Sequence, residues 1–215
     1  ADRLRQAVKY ATRVEAYYVK SCFQPEFELE DALRLAEELG ADMEVLNLGV
    51  SVLDEKVASN PPDRCYYCKK KIMGAIKEAA ARDGFGIILD GTNASDDAGD
   101  RPGMKALGEM KILSPLRICG LTKDEIRSLS KEENLFTWDK PAYACLATRI
   151  PAGVAISPEI LRKVEKAESA LMDMGFSDLR VRVFGGGARL QLKESQMADA
   201  LNKREEIVKV LKPFF

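Results

Sequence analysis

Histidine is absent from this 215-residue chain. Its absence excludes His-based triads, His general bases and imidazole metal ligands, so any metal must be met by thiolate or oxygen. No apolar run approaches the roughly 20 residues that a membrane-spanning helix needs. The N-terminal Ala1-Asp-Arg-Leu-Arg5 has no signal-peptide pattern. An excess of one charge is also missing. Lysine and arginine total 33 against 34 acidic residues, a formal net charge of -1, which leaves no bulk field to hold nucleic acid. A local cluster for a small polyanion remains compatible with that balance. Five cysteines, an odd number in a chain this long, do not read as a disulfide framework and imply a reducing, cytoplasmic setting. What is present is 46% hydrophobic content, ample for one large core or two small ones.

Along the chain, residues 2–13 read as a short amphipathic helix through Leu4, Ala7, Val8 and Ala11. Ala16 to Lys20 reads as a strand, Glu28 to Leu39 as a helix stopped by Gly40, and Met43 to Leu48 as a second strand. A helix over 66–82 follows. Gly86-Ile-Ile-Leu-Asp90 is then a continuous apolar run of the kind buried on both faces of a parallel sheet. This alternation predicts an α/β domain over 1–149 built on a doubly wound parallel sheet. Thr122-x-x-Glu125 is a capping box for a helix over roughly 123–133. A small α-β-β-α unit is predicted over 150–215. It opens with the N-cap pair Ser157-Pro158, turns at Gly185-Gly-Gly187 between two strands, and closes with one helix over roughly 195–211. Its apolar end Lys212-Pro-Phe-Phe215 reads as cut before another strand.

Three cysteines stand in unusual contexts. Cys65 and Cys68 lie in Asn60-Pro-Pro-Asp-Arg-Cys-Tyr-Tyr-Cys-Lys69, and Cys145 in Pro141-Ala-Tyr-Ala-Cys-Leu-Ala-Thr-Arg149. Polar loops with a neighbouring arginine favour thiolates. Without a second CxxC a Cys₄ zinc ribbon is impossible. A Cys₃ zinc site, or a cubane cluster on three cysteines with one open iron, stays compatible with the residues. Cys22 and Cys119 read as core thiols. The loop Asp90-Gly-Thr-Asn-Ala-Ser-Asp-Asp97, at the carboxyl end of a strand, suits Mg²⁺ and a nucleotide, and equally suits an ordinary polar turn. Alternation puts Arg180 and Arg182 on one strand face, with Arg189 across the hairpin, for an anion or simply for solvent. Arg149 is either an anion ligand beside Cys145 or a surface cation. Packing is the default reading for Trp138 and Tyr143.

The ordered motifs Asn60-Pro-Pro-Asp-Arg-Cys-Tyr-Tyr-Cys-Lys69, Asp90-Gly-Thr-Asn93, Arg101-Pro-Gly-Met-Lys105, Ser114-Pro-Leu116, Gly120-Leu-Thr-Lys-x-Glu-Ile-Arg127, Trp138-Asp-Lys-Pro-Ala142 and Ala144-Cys-Leu-Ala-Thr-Arg149 resemble the LarE family of ATP-dependent sulfur transferases. That family lies within the PP-loop pyrophosphatase superfamily. The resemblance implies a PP-loop (adenine nucleotide alpha hydrolase-like) domain over 1–149 and a sulfur-transfer domain over 150–215. It implies ATP and Mg²⁺ as cofactors, with Asp90, Thr92, Asn93 and Arg101 on the nucleotide. The implied substrate is pyridinium-3,5-biscarboxylic acid mononucleotide, thiolated on its carboxylates for a nickel-pincer cofactor. Cys65, Cys68 and Cys145 would hold a [4Fe–4S] cluster fed by sulfide or another sulfur donor. Cys145, Arg149 and Glu168 would form the catalytic group, and Arg180 and Arg182 would take the substrate phosphate. A cytoplasmic homo-oligomer, with neither nucleic acid nor membrane as partner, completes the expectation.

The sequence departs from that pattern at one place. The superfamily's Ser-Gly-Gly-x-Asp-Ser phosphate loop does not occur. Thr12-Arg-Val14 runs directly into Glu15-Ala-Tyr-Tyr-Val19, as though a strand, the loop and a helix were absent between Val14 and Glu15. Two other readings stand beside the first: a tRNA thiolase of the same superfamily, and a non-catalytic relative that binds a metal or nucleotide.

Overall fold

A computed structural model describes residues 2–96 and 102–215. The architecture is mixed α/β and about half helical. In order the elements are α1 (Asp2–Tyr10), β1 (Ala16–Ser21), α2 (Glu26–Leu39), β2 (Met43–Gly49), α3 (Glu55–Ala58), α4 (Arg64–Arg82), α5 (Pro102–Glu109), α6 (Pro115–Ile118) and α7 (Lys123–Glu132). They continue with α8 (Pro158–Asp173), β3 (Arg180–Phe184), β4 (Gly187–Gln191), α9 (Met197–Asn202) and α10 (Arg204–Leu211). Two compact units result. The first comprises Ala1–Ser21, Glu26–Val52 and Pro62–Lys140; the second comprises Cys22–Pro25, Leu53–Pro61 and Pro141–Phe215.

In the first unit β1 and β2 pair in parallel, from Ala16 opposite Met43 to Lys20 opposite Asn47. Helix α2 turns Leu35, Ala36 and Leu39 inward, and Gly40, at φ +60°, ends it in the left-handed region that glycine tolerates. Val19, Met73, Ile76, Leu107 and Ile112 form the core between strands and helices. Each such side chain contributes about 1.5–3 kcal/mol by leaving water. The Thr122 capping box is present, with the Glu125 carboxylate accepting from the Thr122 backbone at 2.8 Å.

In the second unit α8 begins at Ser157, whose hydroxyl accepts from Ile160 N, followed by Pro158. Its buried stripe of Ala167 and Leu171 packs with Phe176, Leu179, Val181 and Ile207. Strands β3 and β4 form the predicted antiparallel hairpin, Arg182 facing Arg189. Asn60, at φ +54°, sits on the same unit. Its amide donates to Pro151 O (2.8 Å) and Val154 O (3.1 Å), while its carbonyl accepts from Gly153 N (2.8 Å).

Three elements and one cysteine differ from the sequence reading. Gly86–Asp90 is not a buried strand but a segment with a single parallel bridge, Leu89 to Leu113, and Ile87 is 71% exposed. An apolar run becomes a buried strand only where neighbours pair with both its edges, and here one edge alone is paired. The first helix stops at Tyr10 rather than residue 13. The last predicted helix is broken at Lys203 into α9 and α10. Cys119 is exposed rather than a core thiol, because it caps the one-turn helix α6 just before Gly120 turns the chain at φ +72°.

Candidate functional site

The first unit builds a polar loop on Asp90. Leu113 N donates to Ile88 O (3.0 Å) and Asp90 N donates to Leu113 O (2.8 Å), so the two bridged segments deliver Asp90 and Ser114 side by side. Asp90, 8% exposed, accepts from Ser114 Oγ (2.6 Å), Thr92 Oγ1 (2.6 Å) and Thr92 N (3.3 Å). Asn93 Oδ1 accepts from Ser95 N (2.9 Å), and Asn93 N donates to Asp96 Oδ2 (3.2 Å). Arg117 donates to the Asn93 and Asp96 carbonyls. Asp90, Thr92 and Asn93 are thus brought together by their own hydrogen bonds. Arg101 and Asp97 lie outside the described residues. Ser114, quoted within a motif but given no role from sequence, is the hydroxyl that completes Asp90; its place at the end of a bridged segment was the missing signal.

The same unit carries Cys65 and Cys68 in the first turns of α4, three residues apart and therefore on one helix face. Cys65 is exposed and Cys68 half-buried. The Arg64 guanidinium, on a residue only 8% exposed, lies 3.8 Å from Cys65 Sγ. Beside them Tyr66 donates to Glu109 (2.7 Å), and Lys70 meets the same carboxylate at 3.2 Å. These contacts hold the Glu109 carboxyl below the usual carboxylate range, the tyrosine bond first and the lysine second.

The second unit carries Cys145 at the head of a 3₁₀ turn, Leu146–Arg149. Leu146 and Ala147 are fully buried, and Leu146 N donates to Phe23 O (3.0 Å). The Cys145 carbonyl accepts from Thr148 N (3.0 Å), Thr148 Oγ1 (2.9 Å) and Arg149 Nη1 (3.4 Å). The backbone is pinned while the residue itself is half-buried. Cys22 belongs to this unit too; burial pushes its thiol up to about 11, with the nearby Cys145 adding to the shift.

Arg149 is not a surface cation. It is 1% exposed and forms a two-pronged pair with Glu168, Nε to Oε1 at 2.8 Å and Nη2 to Oε2 at 2.9 Å. Glu168 also accepts from Val181 N (2.8 Å) and from the Tyr143 hydroxyl. Arg149 stacks over the Tyr143 ring at 4.4 Å. Burial works against the Arg149 charge, but Glu168 more than offsets it and the guanidinium is held more firmly protonated than usual. Burial, and then the Glu168 charge, pushes the Tyr143 phenol far above its ordinary value. Tyr143 is the residue that the packing default missed. Its position two residues before Cys145 was the available signal.

Arg180 and Arg182 share a strand face as expected. Arg180 donates to Ala142 O (3.0 Å) and pairs with Asp178 (3.3 Å). Arg182 donates to Thr148 O and Gln191 Oε1, both at 2.6 Å, and its Nη2 makes no hydrogen bond to a described residue. Arg189 stacks on Phe184 at 4.2 Å. Among the described residues no set of three or more Cys, Asp or Glu side chains is grouped to hold a metal ion. No described helix is long and apolar enough to cross a membrane.

No family model matches the chain. It is 34% identical over 174 residues to the pyridinium-3,5-bisthiocarboxylic acid mononucleotide synthase of Lactiplantibacillus plantarum, a match covering 81% of this chain and 63% of that enzyme. An uncharacterized Synechocystis protein is 35% identical over 170 residues, covering 79% of this chain and 63% of the relative. An uncharacterized Methanocaldococcus jannaschii protein is 29% identical over 203 residues, covering 94% of this chain and 77% of the relative. The chain therefore spans less than two thirds of the first two relatives' length. The similarity to the synthase supports a relationship to the LarE family, the one that the seven ordered motifs resemble.

Proposed function

We propose that this chain is an ATP-dependent sulfur transferase of the PP-loop type that thiolates the carboxylates of pyridinium-3,5-biscarboxylic acid mononucleotide for nickel-pincer cofactor synthesis. The observation that carries the reading is Cys145, half-buried on a turn whose carbonyl is held by three donors and whose arginine is locked by Glu168. A thiol on a fixed backbone is presented in one place and loses little freedom on being ligated there. The similarity to an enzyme named for a bisthiocarboxylic mononucleotide points to the same chemistry.

A carboxylate oxygen leaves too poorly to be displaced directly. Transfer of AMP from ATP to that oxygen, with release of pyrophosphate, makes a leaving group, and sulfur then attacks the carbonyl carbon as AMP departs. Asp90, Thr92 and Asn93 would contact the nucleotide, and their oxygen donors suit Mg²⁺, which would offset phosphate charge. Arg101 is assigned to the nucleotide from its motif alone. Cys65 and Cys68, on one helix face, suit two positions of a [4Fe–4S] cluster, and Cys145 of the second unit would be the third ligand. When bound, such a cluster supplies a labile sulfide at its open iron. Arg149 is a positioning residue, holding the Ala144 and Cys145 carbonyls in place (2.8 and 3.4 Å) while Glu168 holds it. The free Nη2 of Arg182, with Arg180 beside it on the strand, would meet the substrate phosphate. A cytoplasmic homo-oligomer is part of the same proposal.

The test is an anaerobic single turnover with ATP and the biscarboxylate, with iron and sulfide counted beforehand. Pyrophosphate, AMP and a thiocarboxylate are expected, and Cys145→Ala should abolish the thiocarboxylate. Full activity in that variant, or thiolation of a tRNA instead, would sink the reading. Conversion of Cys145 to dehydroalanine, seen in the intact mass, would keep the transfer but make Cys145 itself the sulfur source.

A further inference from the structure

Cys22 is a thiol that no step of the proposed transfer uses. It opens the short segment Cys22–Pro25, which lies between β1 and α2 in sequence but belongs to the second unit, together with Cys145. One backbone hydrogen bond joins the two places. Leu146 N donates to Phe23 O at 3.0 Å, so the peptide that follows Cys145 lies against the residue that follows Cys22. Both neighbours are anchors, since Phe23 is 1% exposed and Leu146 is fully buried. The Cys145 carbonyl is pinned in addition by Thr148 and Arg149. Neither cysteine can therefore drift far from the other while the unit is folded. Each is half-buried and neither is in a disulfide. Burial first, and then the charge of Cys145, raises the Cys22 thiol. That electrostatic coupling is what two neighbouring sulfurs produce.

A disulfide needs Cα atoms roughly 4.4–6.8 Å apart. Consecutive Cα atoms are about 3.8 Å apart, so two cysteines that each flank one end of the same hydrogen bond are within reach of that separation. The other cysteines are placed differently. Cys65 and Cys68 sit on α4 of the first unit, and Cys119 is exposed there at the end of α6. We propose that Cys22 is the partner thiol of Cys145 under oxidation, closing a reversible disulfide within the chain when it meets a peroxide. Hydrogen peroxide transfers an oxygen to one thiol, giving a sulfenic acid and a first water. The sulfur of the other thiol then attacks the sulfenic sulfur. The S–S bond forms, the S–O bond breaks, and the hydroxyl leaves with the second thiol's proton as another water. The thiols give up an electron pair and the peroxide accepts it. A dithiol reductant reverses the step through a mixed disulfide. The device keeps Cys145 from the sulfinic and sulfonic acids, which do not return to the thiol in ordinary exchange. It suits a reducing compartment, where disulfides are transient and redox-sensing. The pairing rests on the second unit alone and holds whether or not Cys145 takes part in sulfur transfer.

The test takes the whole chain as purified, reduced with dithiothreitol and freed of the reductant, and exposes it to dilute hydrogen peroxide. N-ethylmaleimide labelling, digestion and mass spectrometry follow. A peptide joining Cys22 to Cys145 is expected, with loss of the label from both thiols and its retention on Cys119. Dilution of the protein should not slow the link, and dithiothreitol should restore both labels. Cys22→Ser should abolish the linked peptide and let Cys145 pass to the sulfinic acid, with the helical circular dichroism unchanged. Cys22→Ala repeats that comparison without a hydroxyl at the position. Oxidation in urea should scatter the links among the cysteines, since the fold is what selects the pair. A Cys65–Cys68 link formed in its place, or sulfinic acid on Cys145 while Cys22 stays labelled, overturns the proposal. So do links between chains instead of within one, or the same pairing in urea.

Discussion

The two units treat their buried polar groups in opposite ways. In the second, Glu168 and Arg149 have side chains 1% and 0% exposed, yet each finds partners: the carboxylate takes a guanidinium, a phenol and a backbone amide. In the first, Asp90 is met among the described residues by hydroxyls and one amide. The two buried side-chain atoms that lack any partner among the described residues, Tyr18 Oη and Thr137 Oγ1, both belong to the first unit. An open groove of about 580 Å³, lined by Leu4, Tyr17, Met73 and Ile76 among others, belongs to it as well. The second unit is closed upon itself, as suits a rigid mount for a reactive thiol. The first leaves buried polar side-chain atoms unanswered among its described residues.

The largest expected effect comes from breaking the closed side. Arg149→Met leaves Glu168 as an uncompensated buried charge and should cost about 3–5 kcal/mol, read as a drop in the urea midpoint at constant slope. Adding Glu168→Gln should recover much of that loss, since the charge is gone, the amide oxygen still accepts from Val181 N and the amide NH2 can donate to the Tyr143 hydroxyl oxygen. A double variant as unstable as the single one would show that the charge is not what makes the pair matter. On the open side, Asp90→Ala strands only neutral hydroxyls, which can turn toward water, so the cost should fall to about 1–3 kcal/mol. Asp90→Asn, which keeps an acceptor for Ser114, should cost less again. If Asp90→Ala rivals Arg149→Met, the contrast between the units fails.

Much of this was legible where the signal is local. The Leu29, Ala32, Leu33, Ala36 and Leu39 spacing and Gly40 mark α2, Thr122 with Glu125 marks α7, and Ser157-Pro158 marks α8. Each is decided within one or two helical turns. The reading failed where the answer depends on a distant neighbour. Gly86–Asp90 has the composition of a buried strand, but composition does not report that one of its edges has no partner among the described residues. Arg149 looked equally like an anion ligand or a surface cation because its carboxylate lies 19 residues away on another helix. The motif resemblance named Glu168, and only the packing of α8 against the Cys145 turn shows what the pair holds. Asn60 was read as part of a cysteine loop, yet its work is to tie down the turn at 150–154.

The smallest expected effect sharpens the comparison by removing an unanswered group. Tyr18, on β1, has its hydroxyl buried without a partner among the described residues, which costs the folded state the hydration that the hydroxyl enjoys in the unfolded chain. Tyr18→Phe keeps the ring and deletes that oxygen, so it should stabilise by about 0.5–1 kcal/mol near neutral pH. The pH dependence fixes the cause. Burial first, then the negative charges of Glu28 and Glu26, raises the Tyr18 phenol from 10.0 to about 12. Between those values the unfolded chain has lost this proton and the folded chain still holds it. Stability is therefore fully present below pH 10.0 and falls as the pH rises through about 12. Urea midpoints of the two proteins should diverge across that window, the variant losing less, and the tyrosinate absorbance of the variant should lack one late-titrating group. Parallel curves for the two proteins would mean that the hydroxyl is already answered, and that the first unit is as closed as the second.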